Sequence, residues 1–180
     1  MYNKVAVISR FLGVVLLALL FAMVILEAQP LNKMPAVLIS AVYPDGYQTG
    51  GRDEAFQLIN VGYEEIDITG WSVTNNKTTI TFPRATLAAG EKIWCSQLAV
   101  AFEEEFGSLP NFEYGKDSNT DVPNMTGAPL NLIKAGGELV LLNAGGLLVD
   151  AMVYGAGNVA QAGWEGDSVK PYSVGRVKGQ

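Results

Sequence analysis

The stretch DEAFQLINVGYEEIDITGW, Asp53 to Trp71, carries five carboxylates (Asp53, Glu54, Glu64, Glu65 and Asp67) in a chain of 180 residues that has no histidine. Carboxylates brought together can work as an acid and a base when a pocket shifts their pKa values. The spacing argues against that use here. In EAFQLIN, Phe56 and Leu58 share one face of an extended strand while Ala55, Gln57 and Ile59 share the other; in EIDIT, Ile66 and Ile68 point one way and Asp67 the other. The five acids are therefore expected at strand starts, in the connecting loop or on a polar face, as the solvated edge of a sheet. Asn60-Val61-Gly62 supplies the turn, with Gly62 able to take positive φ.

The remaining chemistry-bearing residues read as structural. Cys95, the one cysteine, cannot form an internal disulfide and has no imidazole to activate it, so in EKIWCSQ it reads as a small apolar strand residue. The usual zinc constellations are absent for the same reason. Glu103, Glu104 and Glu105 form the solvated side of a helix and not a metal site. Asp150 interrupts an apolar strand and is expected to bond the backbone of a neighbouring loop. The pairs Gly136-Gly137 and Gly145-Gly146 open no helix and are not followed by Gly-Lys-Ser/Thr, which excludes a nucleotide cradle. No catalytic, cofactor-binding or metal-binding residue is assigned, and no enzymatic activity is expected.

The elements that position these residues are strands. From Val37 onward, short alternating apolar runs are separated by Gly, Asn, Asp and Pro. The strand candidates are AVLISAVYP, EAFQLIN, EIDIT, WSVTN, TTITFP, EKIWCSQ, GELVLLN and LLVDAMVYG, a set that suits an all-β sandwich or partly closed barrel. In SQLAVAFEEEFG, Leu98, Phe102 and Phe106 recur at helical spacing and Gly107 stands at the C-cap, which predicts a short amphipathic helix lying over one open end of the sheets. Residues 108–130 read as a long loop rich in turn residues. In the last hairpin, Asn143-Ala144-Gly145-Gly146 forms the connection, its glycines meeting the positive φ of a tight turn.

The N-terminus has a different character. Phe11 to Leu26, FLGVVLLALLFAMVIL, carries no charge, and VAVIS before it extends the apolar stretch to about 22 residues, roughly a bilayer span. Lys4 and Arg10 flank its start, so the positive-inside bias places Met1 in the cytoplasm and the rest outside. A cleaved export signal uses similar residues, but this run exceeds the usual ~7–15 apolar residues, and Leu26 breaks the small-x-small pattern before Ala28. The expected organisation is a transmembrane anchor at 1–28, a linker at 29–36 broken by Pro30 and Pro35, a β-sandwich at 37–156 and an irregular tail at 157–180. With 12 basic against 18 acidic residues and a net charge of -6, binding to nucleic acid is not expected. Only 17% of residues are charged and 49% are apolar, so composition does not point to disorder.

In order and spacing, VLISAVYPDG, DEAFQLINVGYEEIDITGW, LAAGEKIWCS and GGELVLLNAGGLLVDAMVYG together resemble the lamin tail domain, in the form bacteria attach to secreted and membrane-bound proteins. The resemblance covers about Val37 to Gly155 and implies an immunoglobulin-like β-sandwich. Asp53, Glu54, Phe56, Leu58 and Asn60 keep the family pattern of the second strand, Gly70-Trp71 is kept, and Asp150 keeps the usual Val-Asp pair. Gln57 and Ala41 stand where the family commonly has acids, so any polar service of those acids is lost here. Two sequons, Asn76-Lys77-Thr78 and Asn124-Met125-Thr126, are expected to be empty in a bacterial chain. In bacteria such domains are often fused to extracellular hydrolases and do no chemistry themselves.

Three roles follow. The leading one is a non-enzymatic, membrane-anchored extracytoplasmic interaction or scaffolding module with protein partners. The second is an accessory single-span subunit of a membrane complex, for which Gly13, Ala18 and Ala22 offer a close-packing stripe. The third is the anchor and adaptor of a larger exported hydrolase, phospholipase D-like or a nuclease.

Overall fold

The computed structural model describes residues 36–44, 46, 50 and 52–157. The expected span from Phe11 to Leu26, the linker before Ala36 and the tail beyond Gly157 lie outside the described residues. No helix among the described residues is long and apolar enough to cross a membrane.

The described chain forms β1 (Val37–Tyr43), β2 (Ala55–Asn60), β3 (Ile66–Asp67), β4 (Ser72–Thr74), β5 (Thr79–Thr81), β6 (Thr86–Leu87), β7 (Lys92–Ser96), α1 (Ala99–Phe106), β8 (Phe112–Glu113), β9 (Thr126–Gly127), β10 (Gly136–Leu142) and β11 (Leu148–Gly155). One sheet has the order β1-β2-β7-β8, a second β11-β10-β4-β5-β9, and β3 pairs with β6 in a small third. Each of the eight predicted strands forms. Phe56, Leu58, Ile93 and Cys95 of the first sheet meet Val73, Ile80, Leu139 and Leu141 of the second in one core, with Trp71 packed against it. Burial of each large apolar side chain contributes about 1.5–3 kcal/mol, which is what holds the sheets face to face.

Alternation sets the register. β1 pairs antiparallel with β2, Leu58 opposite Ile39 and Phe56 opposite Val42, with a bulge between Ile39 and Ala41. At that bulge Ile39 N–H donates to Asp150 Oδ2 of β11 at 2.7 Å. Asp150 therefore bonds the backbone of a strand and not of a loop, joining the free edges of both sheets.

The helix forms where the apolar spacing put it. Gly107 adopts φ 75 as its left-handed C-cap and donates to the Glu103 carbonyl at 2.8 Å. Its position differs from the expected one. Phe102 packs with Tyr43, Ala55 and Trp94 on the outer face of the first sheet, and Phe106 stacks on Phe102 with ring centroids 4.3 Å apart. The reason is topological: β8 pairs parallel to β7, and a parallel neighbour requires a crossover, which α1 provides.

Residues 108–130 are correspondingly more structured than a loop. β8 joins the first sheet and β9 the second, with Glu113 bridging to Asn124. Tyr114, Val122, Met125 and Leu130 from this segment are buried.

Two long-range bonds fix the polarity of the sandwich. Glu54, just before β2, reaches the backbone of Leu132, just before β10, while Asp150 and Ile39 lie near the starts of β11 and β1. The first pair marks one end, with the β4–β5 turn, the β10 start and the β11 terminus. The opposite end holds Ala36, the β2–β3 loop and the β10–β11 hairpin.

Candidate functional site

The site is a half-open cleft of about 430 Å³ at the first of these ends. Asn75, Asn76 and Lys77 of the β4–β5 turn form one wall, Asn131 and Ile133 the floor, and Gly136 to Glu138 with Tyr154, Ala156 and Gly157 the other wall. The turn is built by Asn75, whose Oδ1 accepts from Lys77 N–H at 3.1 Å and Thr78 N–H at 2.8 Å. Asn75 Nδ2 also donates to the Asn131 carbonyl at 3.2 Å, and Thr78 Oγ1 to the Pro129 carbonyl at 3.0 Å, so the wall is tied to the floor. Asn76 sits exposed at the tip in the left-handed region, φ 63.

The opposite wall depends on glycine. Gly136 has φ 144, and a Cβ there would fall 2.0 Å from the Ala156 nitrogen. The Tyr154 ring lies over Gly137, where a Cβ would come within 2.9 Å of the hydroxyl oxygen. The glycine pair thus shapes a wall through close approach, and forms no phosphate loop.

Behind the floor lies a buried carboxylate. Glu54 Oε2 accepts from Leu132 N–H at 2.8 Å, and burial pushes the Glu54 carboxyl up to about 7 against the pull of that bond, with Asp53 adding to the rise. Tyr114, fully buried, donates its hydroxyl to the Glu54 carbonyl at 3.1 Å and stacks on Phe56. Burial pushes the Tyr154 phenol up as well, with Glu54 next in effect.

The five acids of the opening stretch therefore divide. Glu64, Glu65 and Asp67 are exposed as expected, but Asp53 and Glu54 are buried at 0% and 6% exposure, which corrects the reading of a uniformly solvated edge. For Glu54 the physical cause is Leu132, whose backbone N–H supplies a donor in place of water, while the Asp53 carboxyl lies close against Gly46. Asp67 accepts from Thr69 N–H at 2.8 Å, and the hydrogen bonds of Thr69 hold its carboxyl below the usual range.

Glu113, which sequence reasoning did not single out, is fully buried. It accepts from Ala99 N–H at 2.9 Å, Ser118 N–H at 2.9 Å, Ser118 Oγ at 2.7 Å and Asn119 N–H at 3.4 Å. Since Leu98 offers no side-chain cap, Glu113 supplies from β8 the acceptor that the first turn of α1 lacks.

At the other end, Asn60 is fully buried and builds the turn with its side chain. Its Oδ1 accepts from Gly62 N–H at 2.8 Å, and its Nδ2 donates to the carbonyls of Glu64 at 2.8 Å and Leu87 at 2.9 Å. Gly62 has no positive φ; its hydrogen side chain fits because a Cβ would sit 3.0 Å from Ala36. In the last hairpin only Gly146 is left-handed, while Asn143 Oδ1 takes the N–H groups of Gly145 and Leu147 at 2.9 and 3.0 Å.

Cys95 is buried, and burial pushes its thiol well up. Glu103 and Glu104 are exposed, and Glu105 accepts from the Tyr43 hydroxyl at 3.0 Å. Among the described residues no three His, Cys, Asp or Glu side chains converge as metal ligands. The cleft offers amides, a phenol, backbone groups and one charge of each sign, which can recognise an extended polar ligand.

A solved structure of a DUF4876 family protein from Bacteroides thetaiotaomicron VPI-5482 is similar at 16% identity and TM-score 0.49, over 61% of this chain and 43% of that one. No curated protein matches the chain. The lamin tail domain model matches residues 32–164, nearly three quarters of the sequence. The chain therefore belongs to the lamin tail domain family.

Proposed function

We propose that this chain is a membrane-anchored, extracytoplasmic interaction module that binds a protein partner through the cleft and performs no chemistry itself. One observation carries the reading: the buried Glu54 and Glu113 work as backbone staples, while the cleft is walled by side-chain amides and backbone held in place by Asn75. Glu54, Glu113 and Asp150 each spend their carboxylates on main-chain N–H groups of distant segments. A rigid scaffold presenting a polar cleft from its loops is the usual architecture of a recognition domain. The anchor is the uncharged run from Phe11 to Leu26, and the basic Lys4 and Arg10 before it favour an external β-domain.

Mild-detergent extraction followed by native electrophoresis and mass spectrometry tests the reading. The wild-type chain should migrate with a partner in fixed stoichiometry, and Asn131→Arg, which fills the cleft floor, should release it. A wild-type chain that migrates alone, or a partner retained by Asn131→Arg, contradicts it.

A further inference from the structure

We propose that the sandwich end where the chain enters the domain rests on the bilayer surface, with Val61, Tyr63, Leu147 and Leu148 seated in the interfacial layer. This rests on the membrane anchoring proposed above.

The four side chains stand out by exposure. Tyr63 is 100% exposed, Leu147 67%, Leu148 51% and Val61 49%, whereas the remaining exposed large apolar residues among those described, Val100, Phe106, Leu109 and Ile133, lie between 37% and 43%. All four of the most exposed sit at one end. Val61 N–H donates to the Ala36 carbonyl at 2.6 Å, which ties the β2–β3 loop to the residue that leads into β1. Asp150, two residues after Leu148, holds Ile39, two residues after Val37, so the β10–β11 hairpin shares that end.

Clustered exposed apolar side chains on two separate loops are a surface in want of a covering. The chain preceding Ala36 says which covering fits. It contains the apolar run ending at Leu26, and the linker at 29–36, fully extended at ~3.5 Å per residue, reaches only about 28 Å. A domain tethered that closely meets the bilayer at high effective concentration, so modest apolar contact suffices. Tyrosine suits the headgroup layer because its ring is apolar and its hydroxyl stays wet.

Charge narrows the lipid class. Glu64, Glu65, Asp67 and Glu91 at this end outnumber Arg84 and Lys92, so attraction to anionic lipid is excluded as the driving force. Seating is through apolar contact with a zwitterionic surface and is insensitive to salt.

Because Cys95 is fully buried, an introduced surface cysteine can be labelled selectively. Full-length Tyr63→Cys, Leu147→Cys and, as the opposite-end control, Asn76→Cys would carry an environment-sensitive fluorophore in phosphatidylcholine vesicles. The first two labels should shift to the blue, lose most quenching by aqueous iodide and gain quenching by headgroup spin-labelled lipid, while the label at 76 shows none of these. Labels at 63 and 147 that match 76 on a chain that floats with the vesicles overturn the seating but leave the anchor intact. Labels shielded from iodide yet untouched by spin-labelled lipid overturn it in favour of a second copy of the chain. A chain that does not float overturns the anchor, and this proposal with it.

Discussion

The two ends of the sandwich are stitched by different chemistry. At the cleft end the staples are buried carboxylates, Glu54 on Leu132 and Glu113 on Ala99 and Ser118; at the entry end neutral amides, Asn60 on Glu64 and Leu87 and Asn143 on its own hairpin, do most of the work beside the half-buried carboxylate of Asp150 on Ile39. An amide satisfies backbone groups without burying charge, so it holds its loop at any pH. A buried carboxylate gives stronger bonds but carries a desolvation cost that depends on protonation. Glu54, whose carboxyl burial raises, consequently gives the cleft end a pH response that the Asn60 and Asn143 amides of the entry end do not share.

That contrast can be broken or sharpened by substitution, with unfolding of the full-length chain as the readout. The largest effect is expected from Glu113→Ala, which leaves the buried Ala99 N–H and the half-buried donors of Ser118 and Asn119 without this acceptor and should destabilise by about 3 kcal/mol. Asn60→Ala should cost about 2 kcal/mol, with the same value at pH 5 and pH 8. A pH-dependent loss at Asn60 would erase the distinction between the ends.

Glu54→Gln should act in the opposite direction. The folded Glu54 carboxyl titrates at about 7, above the 4.5 of an unperturbed glutamate. Between those values the folded state holds more protons than the unfolded one, so this group makes stability fall as pH rises from about 4.5 to 7, with no further change above. Replacing the acid by an amide that can still accept from Leu132 N–H removes the slope and should stabilise the protein at pH 8 by up to about 3 kcal/mol. A destabilised Glu54→Gln at pH 8 would mean that the charged bond outweighs burial. Gly107→Ala, which forces an L side chain to φ 75, should cost about 1 kcal/mol. The smallest effect is expected at the entry end, where Tyr63→Ser and Leu147→Ser should change stability by less than about 0.5 kcal/mol.

Local pattern made much of this fold legible. Alternation located the longer strands whose apolar faces enter the core, and the spacing of Leu98, Phe102 and Phe106 before Gly107 located α1 with its cap. What stayed hidden depends on distant partners. β6, β8 and β9 have two residues each, too short for any period to show. Glu54 looks like any solvated acid until Leu132, 78 residues away, presents its N–H. Glu113 likewise sits in a turn-rich stretch with no signal except that Leu98 cannot cap the helix above it. The cleft drew on residues noted for other reasons: Asn76 as a sequon and Gly136-Gly137 as a glycine pair.

The most direct test of the two ends places a photo-crosslinking amino acid at position 77 in the cleft or at position 63 on the entry end, in the native membrane. A discrete protein adduct is expected from 77 and lipid adducts from 63. A protein adduct from 63 together with none from 77 would reverse the assignment of the two ends and contradict it.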